Sequence, residues 1–219
     1  MRKIALLICG IVAAVVAIAS VVFGVLYFMQ HRKFTSADFG FIDEVSKTDF
    51  DGDGIEDYAD IVEGAREYIA TKPEYESKYY PDTGYPDDNK GVCTDVIWSA
   101  LKAAGYDLRG MMAKDIKSAR DIYEIKEPNE NIDFRRVRNI NIFLRRHAKQ
   151  LGTDLDDPGS FQYGDIVIFG KYEHIGILSD VRNKDGLPYL IHHGLTHGAI
   201  EEDVLANMEL KAHFRFEYR

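Results

Sequence analysis

Two cysteines in a chain of 219 residues, Cys9 and Cys93, are too few for a disulfide framework. Cys9 lies inside an apolar N-terminal stretch, so Cys93 has no partner for an intrachain bridge and stands as a lone thiol. Basic residues are scarce as well. Four of the 27 Lys and Arg (Arg2, Lys3, Arg32, Lys33) flank the apolar stretch, leaving 23 to face 36 Asp and Glu in the remainder. A body so acidic repels nucleic acid and anionic lipid, which excludes both as partners of its surface. No internal repeat and no low-complexity linker breaks the chain, so one globular body with a sizeable core is expected after the apolar segment.

Charge is missing altogether from Ile4 to Met29. That run exceeds the ~7–15 apolar residues of a secretory signal and suffices for the ~20 that cross a bilayer. An N-terminal transmembrane helix is therefore expected, with residues 1–33 as a membrane anchor. A cleaved signal peptide is the competing reading, but no small-x-small site closes the run. A lipoprotein fits less well, because Ile8 precedes Cys9 where a small residue is needed. Arg2 and Lys3 on one side nearly balance His31, Arg32 and Lys33 on the other, so charge leaves the orientation open. The calcium argument that follows favours a single-pass protein of the cell membrane with its body outside the cytoplasm.

Asp49-Phe50-Asp51-Gly52-Asp53-Gly54-Ile55-Glu56-Asp57-Tyr58-Ala59-Asp60 sets acids at positions 1, 3, 5, 9 and 12 of a twelve-residue loop, with Gly at the sixth. Oxygens at that spacing wrap around one Ca²⁺, and position 7 adds the backbone carbonyl of Ile55. The expected ligands are Asp49, Asp51, Asp53, Ile55, Asp57 and Asp60. The stretch resembles the calcium loops of thrombospondin type-3 and dockerin repeats, which also end in Asp. A solvated acidic turn before a helix is the alternative. The cation would be structural, fixing a helix that starts near Asp57 and runs through Ile61, Val62, Ala65 and Ile69, and weak sites of this kind fill near ~10⁻⁴–10⁻³ M calcium, which suits an extracytoplasmic body. Residues 34–70 are read as this calcium-loop helical segment and 71–219 as the main domain.

A loop rich in Pro, Gly, Asp and Tyr (Tyr75, Tyr79, Tyr80, Tyr85) leads to Val92, Val96, Ile97, Ala100, Leu101 and Ala104, a helical stripe stopped by Gly105. Further helices are expected around Met111–Tyr123 and Arg136–Leu151. From Phe161 the pattern becomes short β-rich runs at Asp165–Phe169, His174–Ser179, Tyr189–His192 and His213–Tyr218, with Asn183, Asp185 and Gly186 turning between the second and third. Helices first and antiparallel strands after give an α+β domain.

Cys93 falls in the first turn of the 92–104 helix, capped by Asn89 or Gly91, where unpaired N–H groups and the helix dipole lower a thiol pKa. It is also in register with Val96, Ile97 and Ala100, so a core role stands beside a reactive one. A base would distinguish them. His174 opens one strand, and His192 and His193 close the next; because side chains alternate faces, only one of the two can share a face with His174. His192 is the choice. A thiol, an acceptor histidine and an orienting residue are what nucleophilic catalysis by cysteine needs.

The stretches "QYGDIVIFGKYEHIGILSD" (Gln162 to Asp180) and "LIHHG" (Leu190 to Gly194) resemble the strand pair of the NlpC-type cell-wall cysteine peptidases. That resemblance implies a papain-like fold, nucleophile Cys93, base His174, orienting residue His192 and a peptidoglycan substrate. The chain departs from it in having Val92 and Thr94 where Asp and Ser usually flank the nucleophile, and in its longer span between Cys93 and His174. The stretches "GVCTDVIWSALKAAGYDL", "NIDFRRVRN", "GDIVIF", "HIGI", "IHHG" and "AHFRF" are similar to an uncharacterised bacterial domain family of unknown function.

The expected function is thus a membrane-anchored cysteine endopeptidase or amidase acting on cell-wall peptides, with structural Ca²⁺ and no organic cofactor. One alternative is a zinc hydrolase built on "HHGLTH", though Gly194 and Gly198 oppose the helix that its i,i+4 histidines would need. Another is a non-catalytic calcium-dependent wall-binding module. Asp133, Arg135, Arg136 and Arg138 form either a solvated face or a fork for a substrate carboxylate. Tyr79, Tyr80 and Tyr85 either line a groove or pack their loop, Asp95 complements the helix dipole, and Trp98 is read as core.

Overall fold

The computed structural model describes residues 15–25, 27 and 32–217. Phe34–Arg219 forms one compact unit and the residues before it another. In the N-terminal unit residues 15–25 are helical. At 1.5 Å per residue they extend about 16 Å, half of a ~30 Å hydrocarbon core. Among the described residues no helix is long and apolar enough to cross a membrane. The expected fold, a papain-like α+β domain with a transmembrane helix, is corrected on this point to a mixed α/β body with an antiparallel sheet. The rest of the Ile4–Met29 run lies outside the described residues.

In the larger unit α1 (Asp57–Ala70) starts where the Glu56 carboxylate accepts the N–H groups of Tyr58 and Ala59, an N-cap that satisfies donors the helix cannot. Its buried face, Ile61, Val62, Ala65 and Tyr68, lies across α2 (Cys93–Ala103). The crossing is close: a Cβ on Gly64 would stand 2.4 Å from the Ala103 Cβ, so only glycine fits. Val96, Ile97, Ala100 and Leu101 of α2 are wholly buried, each large side chain contributing roughly 1.5–3 kcal/mol. The expected helix over 111–123 is two, α3 (Leu108–Ser118) and α4 (Arg120–Tyr123), broken where Ala119 leaves helical geometry at φ −134°. After α5 (Glu130–Asp133), α6 (Val137–His147) ends four residues before its expected end. Lys149–Leu151 instead forms strand β3, paired with Arg215, Phe214 and His213; sheet pairing overrides the apolar periodicity there.

Two short strands, β1 (Glu74–Tyr75) and β2 (Lys90–Gly91), pair in parallel just ahead of α2. The main sheet adds β4 (Ile166–Phe169), β5 (His174–Arg182), β6 (Pro188–Gly194), β7 (Gly198–Glu202) and β8 (Leu210–Arg215) to β3. Its order is β3-β8-β4-β5-β6-β7 and every pairing is antiparallel. The β5–β6 turn is closed by Asn183, whose side-chain oxygen accepts the N–H groups of Asp185 and Leu187. Alternation divides the sheet. Ile166, Ile168, Ile175, Ile177 and Ile191 pack against the helices, whereas Val167, Phe169, Leu178 and Leu190 meet Phe161 and Leu205 on the reverse face. Arg66 of α1 crosses to the sheet, donating to Ser179 and Glu201.

Candidate active site

Cys93 is the first residue of α2, and the extended residue before it, Val92, is the N-cap rather than Asn89 or Gly91. Asp95 organises this start. Its carboxylate accepts the Val92 N–H at 2.8 Å, the Trp98 indole N–H at 2.7 Å, and both Nε and Nη2 of Arg135 at 2.8 Å. Asp95 and Arg135 are buried, so Arg135 is a bidentate structural partner and not a fork for substrate. Arg138 pairs with Glu124, and Arg136 is exposed beside Asp133. Tyr80 donates to Asp88 and lies under Arg135, while Tyr85 packs on Trp98 and Phe134 and Tyr79 accepts from Asn129, so these tyrosines hold their loop together.

The thiol is 5% exposed, and burial pushes it up to about 11 despite the N–H groups of Ile175, Thr94 and Cys93 itself that face the sulfur. The Ile175 contact locates it. Leu178 N–H donates to Asp165 on the β4 side, so by alternation the N–H groups of Ile177 and Ile175 point toward β6. Ile177 pairs with Ile191, but the β5–β6 register does not continue to Ile175, whose N–H meets the Cys93 sulfur instead. The thiol thus occupies the open end of the β5–β6 ladder, one residue from His174.

His174 and His192 share a face, as expected, and bridge that same end on its reverse side: His174 Nε2 lies 2.7 Å from His192 Nδ1. His192 Nε2 lies 2.9 Å from Glu202 Oε1, and His197 Nδ1 is also 2.9 Å from Glu202. One proton arrangement satisfies this chain with neutral rings. The carboxylate must accept from His192 Nε2–H, leaving His192 Nδ1 to accept from His174 Nε2–H, and the lone pair of His174 then stands at Nδ1. Burial, then the neighbouring His192 and His193, push His174 down to about 4, so it is neutral near pH 7. Burial also lowers His192, against the pull of Glu202. Glu202 itself is opposed by burial, yet the hydrogen bonds from His197 and His192 hold its carboxyl below the ordinary value. The cluster borders a cavity of about 330 Å³ with Leu195, Val204 and Met208 on its apolar walls.

His193 turns to the helical face. Its Nδ1 lies 2.9 Å from the Tyr68 hydroxyl, its ring meets Tyr75 edge-on, and its Nε2 is buried without a hydrogen-bond partner. Gly91 permits this arrangement, since a Cβ there would sit 2.3 Å from the Tyr68 hydroxyl. Among the described residues no hydrogen bond joins Cys93 to His174. Sequence reasoning missed Glu202 because it left 198–202 without a strand. The signal was the Gly194 to Gly198 turn, which pairs those two glycines and brings Glu202 back beside His192.

The expected calcium ligands separate into three groups. Carboxylate oxygens of Asp49, Asp51 and Asp53 lie within 4.8 Å of one another on the exposed loop. Asp57 turns away: it is buried, and accepts the Phe50 N–H at 2.8 Å and the Tyr106 hydroxyl at 2.6 Å. Asp60 is buried in the first turn of α1, with Oδ2 lacking a partner, and Ile55 is half exposed between them. The histidines of the zinc alternative are not brought together in this way. His193 is held by Tyr68 and His197 by Glu202, and among the described residues the Asp49, Asp51 and Asp53 group alone has metal-ligand spacing.

The family model described as "Domain of unknown function (DUF1287)" matches residues 62–216. The chain is also 36% identical over 167 residues to the "Uncharacterized protein YijF" of Escherichia coli (strain K12), covering 71% of this chain and 80% of that protein. No solved structure matches it.

Proposed function

The chain belongs to the DUF1287 family, and we propose that it is a cysteine hydrolase that cleaves amide bonds in cell-wall peptides outside the cytoplasm. The observation that carries this reading is the His174–His192–Glu202 chain, which fixes a neutral His174 with its lone pair at Nδ1, in the residue next to the Ile175 N–H that meets the Cys93 sulfur. Among the described residues the chain uses Nε2 of His174 and leaves its Nδ1 without a hydrogen bond, as a general base requires.

In the proposed reaction His174 Nδ1 takes the thiol proton as the sulfur attacks the carbonyl carbon of the substrate amide. A raised thiol beside a depressed imidazole makes this a concerted transfer within a neutral pair, without a standing thiolate. The tetrahedral oxyanion collapses, the C–N bond breaks, and His174 returns the proton to the leaving amine. Water, deprotonated by His174, then attacks the thioester and releases the acid and the free thiol. His192 and Glu202 hold His174 in the tautomer that each transfer requires. Cys93 packs on the helix face of the sheet and His174 on its reverse side, so the proposed transfer requires the open end of β5 to bring His174 Nδ1 round to the sulfur as substrate binds. The substrate class rests on the likeness of Gln162–Asp180 and Leu190–Gly194 to the NlpC-type strand pair, and Val92 and Thr94 are where that likeness is weakest.

Incubating the full chain with purified peptidoglycan and resolving the products by mass spectrometry tests the proposal. New peptide fragments are expected with the natural chain, and none with Cys93→Ala or after iodoacetamide. Undiminished fragment release by Cys93→Ala would falsify it.

A further inference from the structure

We propose that the segment Asp49–Asp60 is a calcium site, in which the carboxylates of Asp49, Asp51, Asp53 and Asp60 and the carbonyl of Ile55 enclose one Ca²⁺. The loop already has the shape such a site needs. Asp49 accepts the N–H groups of Gly52 and Asp53 through Oδ1 and that of Gly54 through Oδ2, Asp51 accepts from Asp53, and Asp53 accepts from Ile55. These bonds draw the backbone around a common centre while three acidic side chains stand within 4.8 Å of each other. Like charges so placed repel unless a cation joins them.

The second observation is Asp60. This residue is 8% exposed, and its buried Oδ2 has no hydrogen-bond partner, which is costly for a carboxylate that nothing neutralises. The charges acting on it are those of Asp53, Asp51, Asp57 and Asp49, so its carboxylate lies beside the loop acids. A divalent cation there removes the repulsion and supplies the missing partner together. All the donors are hard oxygens, in a number and flexible setting that favour Ca²⁺ over the stricter octahedron of Mg²⁺ and over thiol- or imidazole-seeking zinc.

Asp57 sits outside this shell and defines what the cation holds. It clips the loop to Tyr106, just beyond α2, where Phe50 stacks on the Tyr106 ring at 4.3 Å. Asp60 belongs to the first turn of α1. The bound ion would therefore tie the start of α1 to a loop already seated on the far end of the helix that begins with Cys93. The site stands independently of the hydrolase reading.

Calorimetric titration of CaCl₂ into the full chain, stripped with EDTA, is expected to show one ion per chain, saturating by ~1 mM or below. At a hundredfold excess over Kd, Tm should rise by about 5–10 °C. Asp60→Asn should weaken binding at least about tenfold, since it removes a charged ligand. Asp51→Asn, on the exposed loop and with an amide oxygen that can still accept the Asp53 N–H, should do the same without disturbing the fold, while Glu67→Gln on α1 should bind as the natural chain does. The proposal is overturned if the natural chain takes up no Ca²⁺ saturably to several millimolar, if Asp51→Asn binds unchanged, or if Mg²⁺ binds equally well.

Discussion

Two histidine–carboxylate clusters lie on one sheet, and they differ in what they leave unused. On β8, His213 is wholly buried, with Nδ1 2.8 Å from the Gly152 carbonyl oxygen, Nε2 2.8 Å from Asp165, and its ring stacked on Phe161 at 4.5 Å. Asp165 in turn accepts Nε and Nη2 of Arg215 and the Gln162 N–H. Both ring nitrogens face oxygens and the ring is wholly buried. At the open end of β5 and β6, His174 uses one ring nitrogen on His192, leaves the other without a hydrogen bond among the described residues, and borders a cavity. The residue types are the same. Exhausted hydrogen-bonding capacity marks a structural cluster, and capacity held in reserve by a fixed tautomer marks a candidate catalytic one.

The largest effect that separates the two is on stability. Asp165→Ala removes the buried carboxylate shared by Arg215 and His213, leaving Arg215 with Glu44 and Ser160 and His213 with Gly152, and breaking a buried ion pair in this way costs about 3–5 kcal/mol. Urea denaturation should show that loss, with the remaining folded fraction hydrolysing substrate at its usual rate per molecule. A change under about 1 kcal/mol would erase the contrast with the His174 cluster, because it would mean that Asp165 was not the anchor its contacts describe.

The next effect belongs to turnover. His192→Ala removes the acceptor of His174 Nε2–H, freeing the imidazole to adopt the wrong tautomer, and kcat should fall on the order of 10²–10⁴-fold. His192→Asn puts an amide oxygen near the place of Nδ1 and should recover a large part of that loss. A merely structural His192 predicts no such rescue, so equal activities for the Ala and Asn variants would remove the orienting role.

How much of this was legible in the sequence depended on whether the signal was local. The runs expected at Asp165–Phe169, His174–Ser179 and Tyr189–His192 from apolar content and the Asn183 turn correspond to the strands Ile166–Phe169, His174–Arg182 and Pro188–Gly194, and alternation alone paired His174 with His192. Glu202 was legible only through the Gly194 to Gly198 turn, because Gly198–Glu202 carries no apolar alternation and is a strand only through its pairing with β6. Arg135 was misplaced for a similar reason: its partner Asp95 lies 40 residues away, and nothing near it in the chain indicates burial. The uncharged N-terminal run suggested a spanning helix by composition, whereas the described helix covers only part of it. The acidic loop was legible as a spacing, but the separate duty of Asp57 needed Tyr106, again a distant residue.

The smallest effect is a pH dependence that should be nearly absent where an ordinary histidine would show one. In the proposed reaction His174 must be neutral to accept the thiol proton, and burial followed by its histidine neighbours pushes it down to about 4. Activity per folded molecule should therefore stay level from about pH 8 to pH 5 and fall only below that, whereas an unperturbed imidazole would lose half its activity near ~6.5. Stability should move in the same direction. The unfolded chain holds a proton on His174 between about 6.5 and 4 that the folded one does not, so this contribution is fully present above 6.5 and is lost as pH falls toward 4. A kcat/KM profile with its acid limb centred near 6.5 would mean that His174 is well solvated and that the cavity end of the sheet does not hold its base neutral. The distinction between reserved and exhausted hydrogen bonds would then have to rest on the response to His192→Asn alone.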